Sequence, residues 1–294
     1  MRAHSYHALL LVLAIALVGS FTACAAEKNP RSLDDAVKYI YKEVDDSKLE
    51  LYVFNPADLE DDDTRPAIVF YHGGGWRGGN PRQFAPHCHY LASRGMVAIT
   101  VRYRLKGTHG TPPSTCVEDA KSAMRWVRSH ADKLNIDPDK IAAGGGSAGG
   151  HLAACLATIE GFNAPTDDTS VSAMPQALAL FNPAIKFLPT WHKMLEVPPE
   201  DISPSDHVTE DVPPTIIFHG TKDTTVPFKL VEEFCEKMKE KGNRCELVAF
   251  EGMTHAFFNY GKHENRPYRR TVYEMDRFLQ SLGFLEGEAT IEPP

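Results

Sequence analysis

The chain has 294 residues, of which 43% are hydrophobic and 24% are charged, so it can bury a large core and is not a disordered segment. Its formal net charge is −8 at pH 7, and no concentrated basic stretch is present. Because binding to nucleic acid normally needs a concentrated basic surface, the sequence excludes a nucleic-acid partner.

The first 25 residues predict a signal peptide. Arg2 precedes an apolar run over residues 8–18, which is shorter than the roughly 20 residues of a permanent membrane helix, and small residues follow it, as signal peptidase requires. A retained membrane anchor is the alternative. Thr22-Ala23-Cys24 also resembles a bacterial lipoprotein processing site, which would place a lipid anchor on Cys24. We therefore expect an exported bacterial protein, either periplasmic, secreted or an outer-membrane lipoprotein, with no transmembrane segment in its mature form.

Strands and helices alternate over most of the remaining chain. The predicted strands are residues 37–44, 49–54, 67–71, 97–101, 140–143, 177–181, 215–218 and 246–250. The predicted helices lie near residues 83–93, 117–134, 148–156, 230–241 and 268–282. This alternation predicts a mostly parallel central sheet flanked by helices on both faces, in one domain over residues 27–294. The irregular segment from Asn182 to Pro214 is longer than a typical connection and predicts a small lid.

Ser147 is the strongest candidate for a catalytic residue. It lies in Gly145-Gly146-Ser147-Ala148-Gly149, between a predicted strand and a helix-forming run that starts at His151. A serine on a sharp strand-to-helix turn projects its hydroxyl away from the sheet, and small flanking residues permit the bend. A flexible loop of small residues is the alternative. The strand and helix formers on either side favour the nucleophile.

A serine nucleophile needs a histidine base and an acid that orients the base. Asp223 and His255 each lie just past the end of a predicted strand. Because the carboxyl ends of parallel strands meet at one edge of the sheet, we expect both side chains to converge on Ser147. Asp211 and Glu251 are the alternative acids.

Three glycines follow the predicted strand 67–71, in His72-Gly73-Gly74-Gly75-Trp76. Their backbone N–H groups are sterically open and can stabilise the oxyanion of a tetrahedral intermediate, together with the N–H of Ala148. A phosphate-binding loop is the alternative, but the Gly-Lys-Ser/Thr that such a loop requires is missing. This chemistry needs no metal and no organic cofactor. Trp76 and Trp191 are candidate substrate-binding residues, with simple burial as the alternative.

Five cysteines remain when Cys24 is left aside, which is an odd number for an oxidising compartment. At least one of them should be a free thiol. Cys235 lies on a predicted helix and Cys245 begins the strand that follows it, so the turn between them can bring the two within bridging distance. The sequence therefore predicts a disulfide between Cys235 and Cys245, with two separately buried thiols as the alternative.

The two glycine motifs together resemble those of the α/β-hydrolase superfamily, in its esterase and lipase branch. The chain is similar to the hormone-sensitive lipase-like enzymes in His72-Gly73-Gly74-Gly75-Trp76, in Tyr103-Arg104-Leu105 and in the order serine, acid, histidine. This resemblance implies the α/β-hydrolase fold. The roles that it implies are nucleophile for Ser147, base for His255, orienting acid for Asp223, and oxyanion-hole donor for Gly74, Gly75 and Ala148.

The chain departs from that branch in two places. It lacks the helical N-terminal cap, and Lys106-Gly107-Thr108 stands where Ala-Pro-Glu is usual. It is thus more similar to compact exported bacterial esterases, some of which remove acetyl or feruloyl groups from polysaccharides.

The sequence as a whole predicts a serine carboxylesterase that hydrolyses short-chain acyl esters of small molecules or glycans through an acyl-enzyme. One alternative is an amide or formamide hydrolase similar to kynurenine formamidase. A peptidase similar to prolyl oligopeptidase is another, although the sequence shows no separate propeller domain. The remaining alternative is a noncatalytic binding module on the same fold, which the presence of every catalytic part disfavours.

Overall fold

The computed structural model describes residues 29–294. The predicted signal peptide and the predicted lipid anchor at Cys24 therefore lie outside the described residues. Within the described part of the chain, no helix is both long enough and apolar enough to cross a bilayer.

A single eight-stranded sheet forms the centre of the molecule, and its strands lie in the order β1-β2-β4-β3-β5-β6-β7-β8. The strands are β1 (Val37–Val44), β2 (Ser47–Phe54), β3 (Arg65–Tyr71), β4 (Val97–Val101), β5 (Ile136–Gly146), β6 (Ala177–Phe181), β7 (Thr215–Gly220) and β8 (Cys245–Phe250). The hairpin of β1 and β2 and the pairing of β2 with β4 are antiparallel, and all other pairs are parallel. The predicted mostly parallel sheet is confirmed.

Helices cover both faces of the sheet. The α-helices are α1 (Ala85–Ser93), α2 (Lys106–His109), α3 (Pro113–Ser129), α4 (Ala148–Thr158), α5 (Phe228–Glu240) and α6 (Arg266–Ser281). Buried side chains of α3, α4 and α5 pack on one face, and those of α1 and α6 pack on the other. The central strand β3 shows why both layers are needed, since Val69 faces the first core and Phe70 the second. Successive side chains of a strand point to opposite faces of the sheet, so a strand whose consecutive residues are all apolar is typical of a sheet buried on both sides.

Several element boundaries differ from the sequence predictions, and two of the differences have a clear physical reason. Helix α3 begins at Pro113, four residues before the predicted start, because proline is well suited to the first turn of a helix, where its missing N–H costs nothing. Strand β5 continues to Gly146 beside β3 and β6. The glycines that look like a loop in the sequence thus form the end of a central strand.

The segment between β6 and β7, predicted as a small lid, is compact. It contains three short 3₁₀ helices, Pro189–Met194, Pro199–Ile202 and Pro204–Asp206. The side chains of Phe187 and Ile202 within it are buried in the core on the α4 side of the sheet.

His87 lies on the face of α1 that packs against the sheet. Its side chain is fully buried, and neither ring nitrogen has a hydrogen-bond partner among the described residues. The rings of Phe70, Phe84, Phe181 and Tyr268 surround it. Burial lowers the pKa of His87 to about 3, because this apolar environment disfavours the charged imidazolium.

We expect the substitution His87→Leu to make the protein less sensitive to acid. The pKa of His87 is lower in the folded state than in the unfolded chain, so the unfolded state binds more protons below about pH 6.5. The free energy of unfolding therefore decreases as the pH is lowered. At about pH 5 this histidine costs about 2 kcal/mol of stability, which leucine avoids. Urea unfolding at about pH 7.5 and about pH 5 measures the difference.

The control for this prediction is His192→Gln, because the His192 side chain is exposed in the structure. That variant should keep the pH dependence of the parent protein. If His87→Leu lost as much stability on acidification as the parent does, His87 would not be a neutral ring in the core.

Candidate active site

Ser147 stands on a sharp turn between the end of β5 and the start of α4. Its backbone angles are φ 54° and ψ −116°, a conformation that costs a residue with a Cβ a few kcal/mol at most and is typical of functional turns. Gly149 makes the turn possible, because a Cβ at this position would collide with the carbonyl oxygen of Tyr71 at the end of β3. The helix therefore packs directly against β3, and the serine hydroxyl stays partly exposed above the sheet.

The side chains of Ser147, His255 and Asp223 form one hydrogen-bonded row. The Nε2 atom of His255 lies 2.9 Å from the Oγ atom of Ser147, and its Nδ1 atom lies 2.7 Å from the Oδ2 atom of Asp223. The three residues follow the carboxyl ends of β5, β8 and β7. The structure thus brings together the three side chains that the sequence predicts as a triad.

Asp223 is buried and accepts several hydrogen bonds. The backbone N–H groups of Thr225 and Val226 donate to its Oδ1 atom at 2.9 Å each. The Nε2 atom of His219 lies 3.3 Å from its Oδ2 atom. Burial by itself raises the pKa of Asp223, but the hydrogen bonds from His219, His255 and Val226 outweigh burial and hold this pKa below its usual range. The group is therefore an anion beside the imidazole at neutral pH.

The alternative acids do not reach the histidine. Asp211 and Glu251 are both exposed. In the part of the chain that the structure describes, Asp223 is the carboxylate that hydrogen-bonds His255.

The glycine loop after β3 presents backbone N–H groups at the same edge of the sheet. Gly74 and Gly75 have φ angles of 127° and 61°, which glycine adopts without strain. Over residues 29–294, the N–H groups of these two glycines donate to no protein acceptor, whereas the N–H of Gly73 donates to Oε1 of Gln83 at 2.6 Å. The N–H of Ala148 is at the N-terminus of α4, where no intrahelical acceptor is available.

The loop and the serine turn leave neighbouring strands at the same level. Tyr71 is paired with Gly145 in the register of β3 and β5, and the chain turns away from the sheet within two residues of each. The ring of Tyr103 stacks on His72 with centroids 4.4 Å apart, and its hydroxyl donates to the His72 carbonyl oxygen at 2.6 Å. These contacts fix the start of the glycine loop.

Comparison with known proteins places this geometry in a family. Residues 51–177 match the family model described as BD-FAE. The esterase LipC of Mycobacterium tuberculosis is 30% identical over an alignment of 221 residues. The match covers 64% of this chain and 54% of LipC. The probable carboxylic ester hydrolase LipM of the same organism is 28% identical, over 70% of this chain and 53% of LipM. The chain spans about half the length of these curated relatives.

Solved structures match over nearly the whole fold. The chain is 46% identical to Thermogutta terrifontis esterase 2, solved after phosphorylation by paraoxon, with a TM-score of 0.85; the match covers 89% of this chain and 100% of the other. The propionate-bound structure of the same esterase is also 46% identical, with a TM-score of 0.85 over 88% of this chain and 98% of the other. This chain belongs to the α/β-hydrolase superfamily, in its esterase and lipase branch.

Asn182 belongs to this α/β-hydrolase site, although the sequence did not predict it as a site residue. It follows β6 directly, its Oδ1 atom accepts the backbone N–H of Ala256 at 3.0 Å, and its Nδ2 atom lies 3.4 Å from the Nε2 atom of His255. Asn182 therefore holds the loop that carries the histidine. Its position just past a strand end was a usable signal, because Ser147, Asp223 and His255 share that position.

The two tryptophans predicted to bind substrate belong to one aromatic cluster of the hydrolase. Trp76 is only 2% exposed, and its ring stacks on Phe187 at 4.8 Å and meets Trp191 at 5.9 Å. Its indole N–H donates to Nδ1 of His151 at 3.2 Å. Trp76 is thus part of the core in this structure, whereas Trp191 is partly exposed and keeps surface for a ligand.

Two further predictions concern sulfur and metal chemistry. Cys235 and Cys245 are both free thiols in the structure, so the predicted disulfide is not formed there. Both thiols are buried, Cys235 on α5 and Cys245 at the start of β8, as in the alternative of two separately buried thiols. Among residues 29–294, no three His, Cys, Asp or Glu side chains are grouped as a metal site.

Proposed function

We propose that this α/β-hydrolase is a serine carboxylesterase that acts on esters with short acyl groups. The observation that carries the proposal is the hydrogen-bonded row of Ser147, His255 and Asp223 beside the open N–H groups of the glycine loop. The structurally similar Thermogutta terrifontis esterase 2 supports it, since that protein was solved with propionate, with butyrate and after phosphorylation by paraoxon.

The imidazole acts first as a base. The Nδ1–H group of His255 donates a hydrogen bond to the carboxylate of Asp223. The lone pair of Nε2 is therefore directed at the hydroxyl of Ser147. As Oγ of the serine attacks the ester carbonyl carbon, Nε2 takes the hydroxyl proton. The anionic carboxylate of Asp223 stabilises the imidazolium that results.

The carbonyl oxygen of the ester becomes an oxyanion in this step. The N–H groups of Gly74, Gly75 and Ala148 are the donors proposed for it, because they are fixed dipoles at the edge where the serine lies and have no acceptor within residues 29–294. Collapse of the tetrahedral intermediate breaks the bond to the alcohol, and the imidazolium returns the proton to the leaving oxygen. Water then attacks the acyl-enzyme by the same route and releases the acid.

Acetyl or feruloyl esters of polysaccharides are the substrates that we propose within this class. The predicted export signal would bring the enzyme to such material outside the cytoplasm. The catalytic domain that we propose comprises residues 27–294, and it is free or attached through a lipid at Cys24.

Active-site labelling tests the proposed function. A fluorophosphonate probe should add its mass to the tryptic peptide that contains Ser147, and prior exposure to paraoxon should block that labelling. The same protein should hydrolyse p-nitrophenyl acetate and butyrate, acetylated xylan and methyl ferulate. An amidase would instead favour N-formylkynurenine or dipeptide amides, and a binding module would take up no probe. Either of these results would refute the proposal.

A further inference from the structure

An open cavity of about 430 Å³ lies beside the glycine loop. Its walls come from the glycine loop, from the short 3₁₀ helix that follows it, from the loop after His255 and from the N-terminal end of the described chain. The residues that line it are Arg31, Gly73, Gly74, Gly79, Asn80, Arg82, Gln83, Asn259, Tyr260 and Lys262. Three of these side chains are cationic and none is acidic.

The positive charge of this cavity is not neutralised by any carboxylate of residues 29–294. Among the described residues, no carboxylate lies within ion-pair distance of Arg31, Arg82 or Lys262. The guanidinium of Arg31 donates to the backbone carbonyl oxygen of Tyr260. The cavity thus gathers three cationic side chains in a chain whose net charge is −8. A concave surface lined by one sign of charge focuses its field on the ligand that enters it.

The cavity lies next to the proposed oxyanion hole and shares one residue with it. Gly74 lines the cavity and also supplies one of the proposed donors. Gln83 joins the two sides, because its Oε1 atom accepts the N–H of Gly73 at 2.6 Å and its Nε2 atom donates to Asn259 at 2.8 Å. Asn259 in turn belongs to the loop that follows His255. The cavity and the proposed oxyanion hole thus share Gly74, and the contacts of Gln83 tie the glycine loop to the loop that carries the histidine.

We propose that this cavity binds a carboxylate of the substrate, so that the enzyme prefers esters that carry a negative charge close to the scissile bond. Arg82 and Lys262 determine this specificity, since both side chains line the cavity and neither has an ion-pair partner among the described residues. Arginine and lysine both form charge-assisted hydrogen bonds with carboxylates, and arginine can do so with two N–H groups. The proposal rests on the esterase function above and specifies its substrate class.

The carboxylate can belong to either half of the ester, and paired substrates separate the two cases. For the alcohol half, 4-acetoxybenzoate is compared with the neutral 4-acetoxybenzamide. For the acyl half, mono-4-nitrophenyl glutarate is compared with 4-nitrophenyl valerate, after subtraction of the rate without enzyme. The measured quantity is the ratio of kcat/KM for the charged ester to kcat/KM for its neutral partner.

We expect this ratio to exceed one for at least one pair and to fall by about tenfold in the double variant Arg82→Gln/Lys262→Gln, mainly through KM. Added NaCl should lower the ratio in the parent enzyme. The matched control is Arg77→Gln, which removes one exposed positive charge from the same region but does not line the cavity. That control should leave the ratio as it is in the parent.

Two results would overturn the inference while leaving the esterase function intact. One is turnover of neutral esters with a ratio at or below one for both pairs. The other is a ratio that falls equally in Arg77→Gln and in the double variant, which would show general attraction by net charge. Failure of the esterase function itself is recognised differently, by the absence of probe labelling and of turnover for every ester, charged or neutral.

Discussion

Ser147→Ala is expected to lower kcat/KM for p-nitrophenyl acetate and butyrate by at least about 10⁴-fold, to a rate near the background. The proposed mechanism has no second nucleophile, because the hydroxyl of Ser147 is the group that hydrogen-bonds Nε2 of His255. Loss of Oγ therefore removes the acyl-enzyme route as a whole. What remains is the rate that the N–H donors and substrate binding can support with water as the attacking group.

The fold should survive this substitution. Alanine has the same Cβ as serine, so the backbone at φ 54° is no more strained than before. Thermal unfolding of Ser147→Ala should therefore match that of the parent, and the exposed Ser93→Ala serves as a control for both activity and stability. Normal turnover by a folded Ser147→Ala protein would mean that another residue is the nucleophile.

Asp223→Asn is expected to lower kcat by about 10⁴-fold, a loss similar to that known for the same change in serine proteases. The reason is the direction of the amide. Oδ1 of Asp223 accepts the N–H groups of Thr225 and Val226, so an asparagine keeps its carbonyl oxygen there and turns its NH₂ group towards His255. Nδ1 must then act as an acceptor, and the proton moves to Nε2, where it prevents the ring from taking the proton of Ser147.

The matched control for this second prediction is Asp211→Asn. Asp211 is one of the two alternative acids predicted from the sequence. It is exposed in the structure and does not contact the histidine. The kcat of the Asp211→Asn variant should lie within about twofold of that of the parent enzyme, as is usual for surface substitutions. Equal damage from both variants, or damage from Asp211→Asn alone, would assign the orienting role to another carboxylate.

The sequence predicted the central fold because its signals were local. Each buried strand is a short apolar run, and each of the three proposed triad residues stands just past such a run, where parallel strands place their sites. Glycine was harder to interpret. The sequence predicted that the strand ends at residue 143. Residues 144–146 extend β5 in the structure, because the neighbouring strands supply backbone partners for them.

The parts that the sequence did not predict depend on contacts between distant segments. Asn182 carries no chemistry of its own, and its role comes from its contacts with Ala256 and His255. The cationic cavity combines Arg31, Arg82 and Lys262 from three separate segments of the chain, so no window of sequence contains the pattern. Trp76 was predicted to contact substrate but lies in the core, since the lid segment covers it with Phe187 and Trp191.

The pairing of Tyr71 with Gly145 fixes the nucleophile relative to the proposed oxyanion donors. The nucleophile and the proposed anion-stabilising amides emerge from adjacent central strands, and the ladder between those strands sets their separation. Mutations in the β1–β2 hairpin, or of the cavity side chains Arg82 and Lys262, can accumulate without changing that separation. Evolution can therefore alter which esters such an enzyme accepts while the bond-breaking step stays the same.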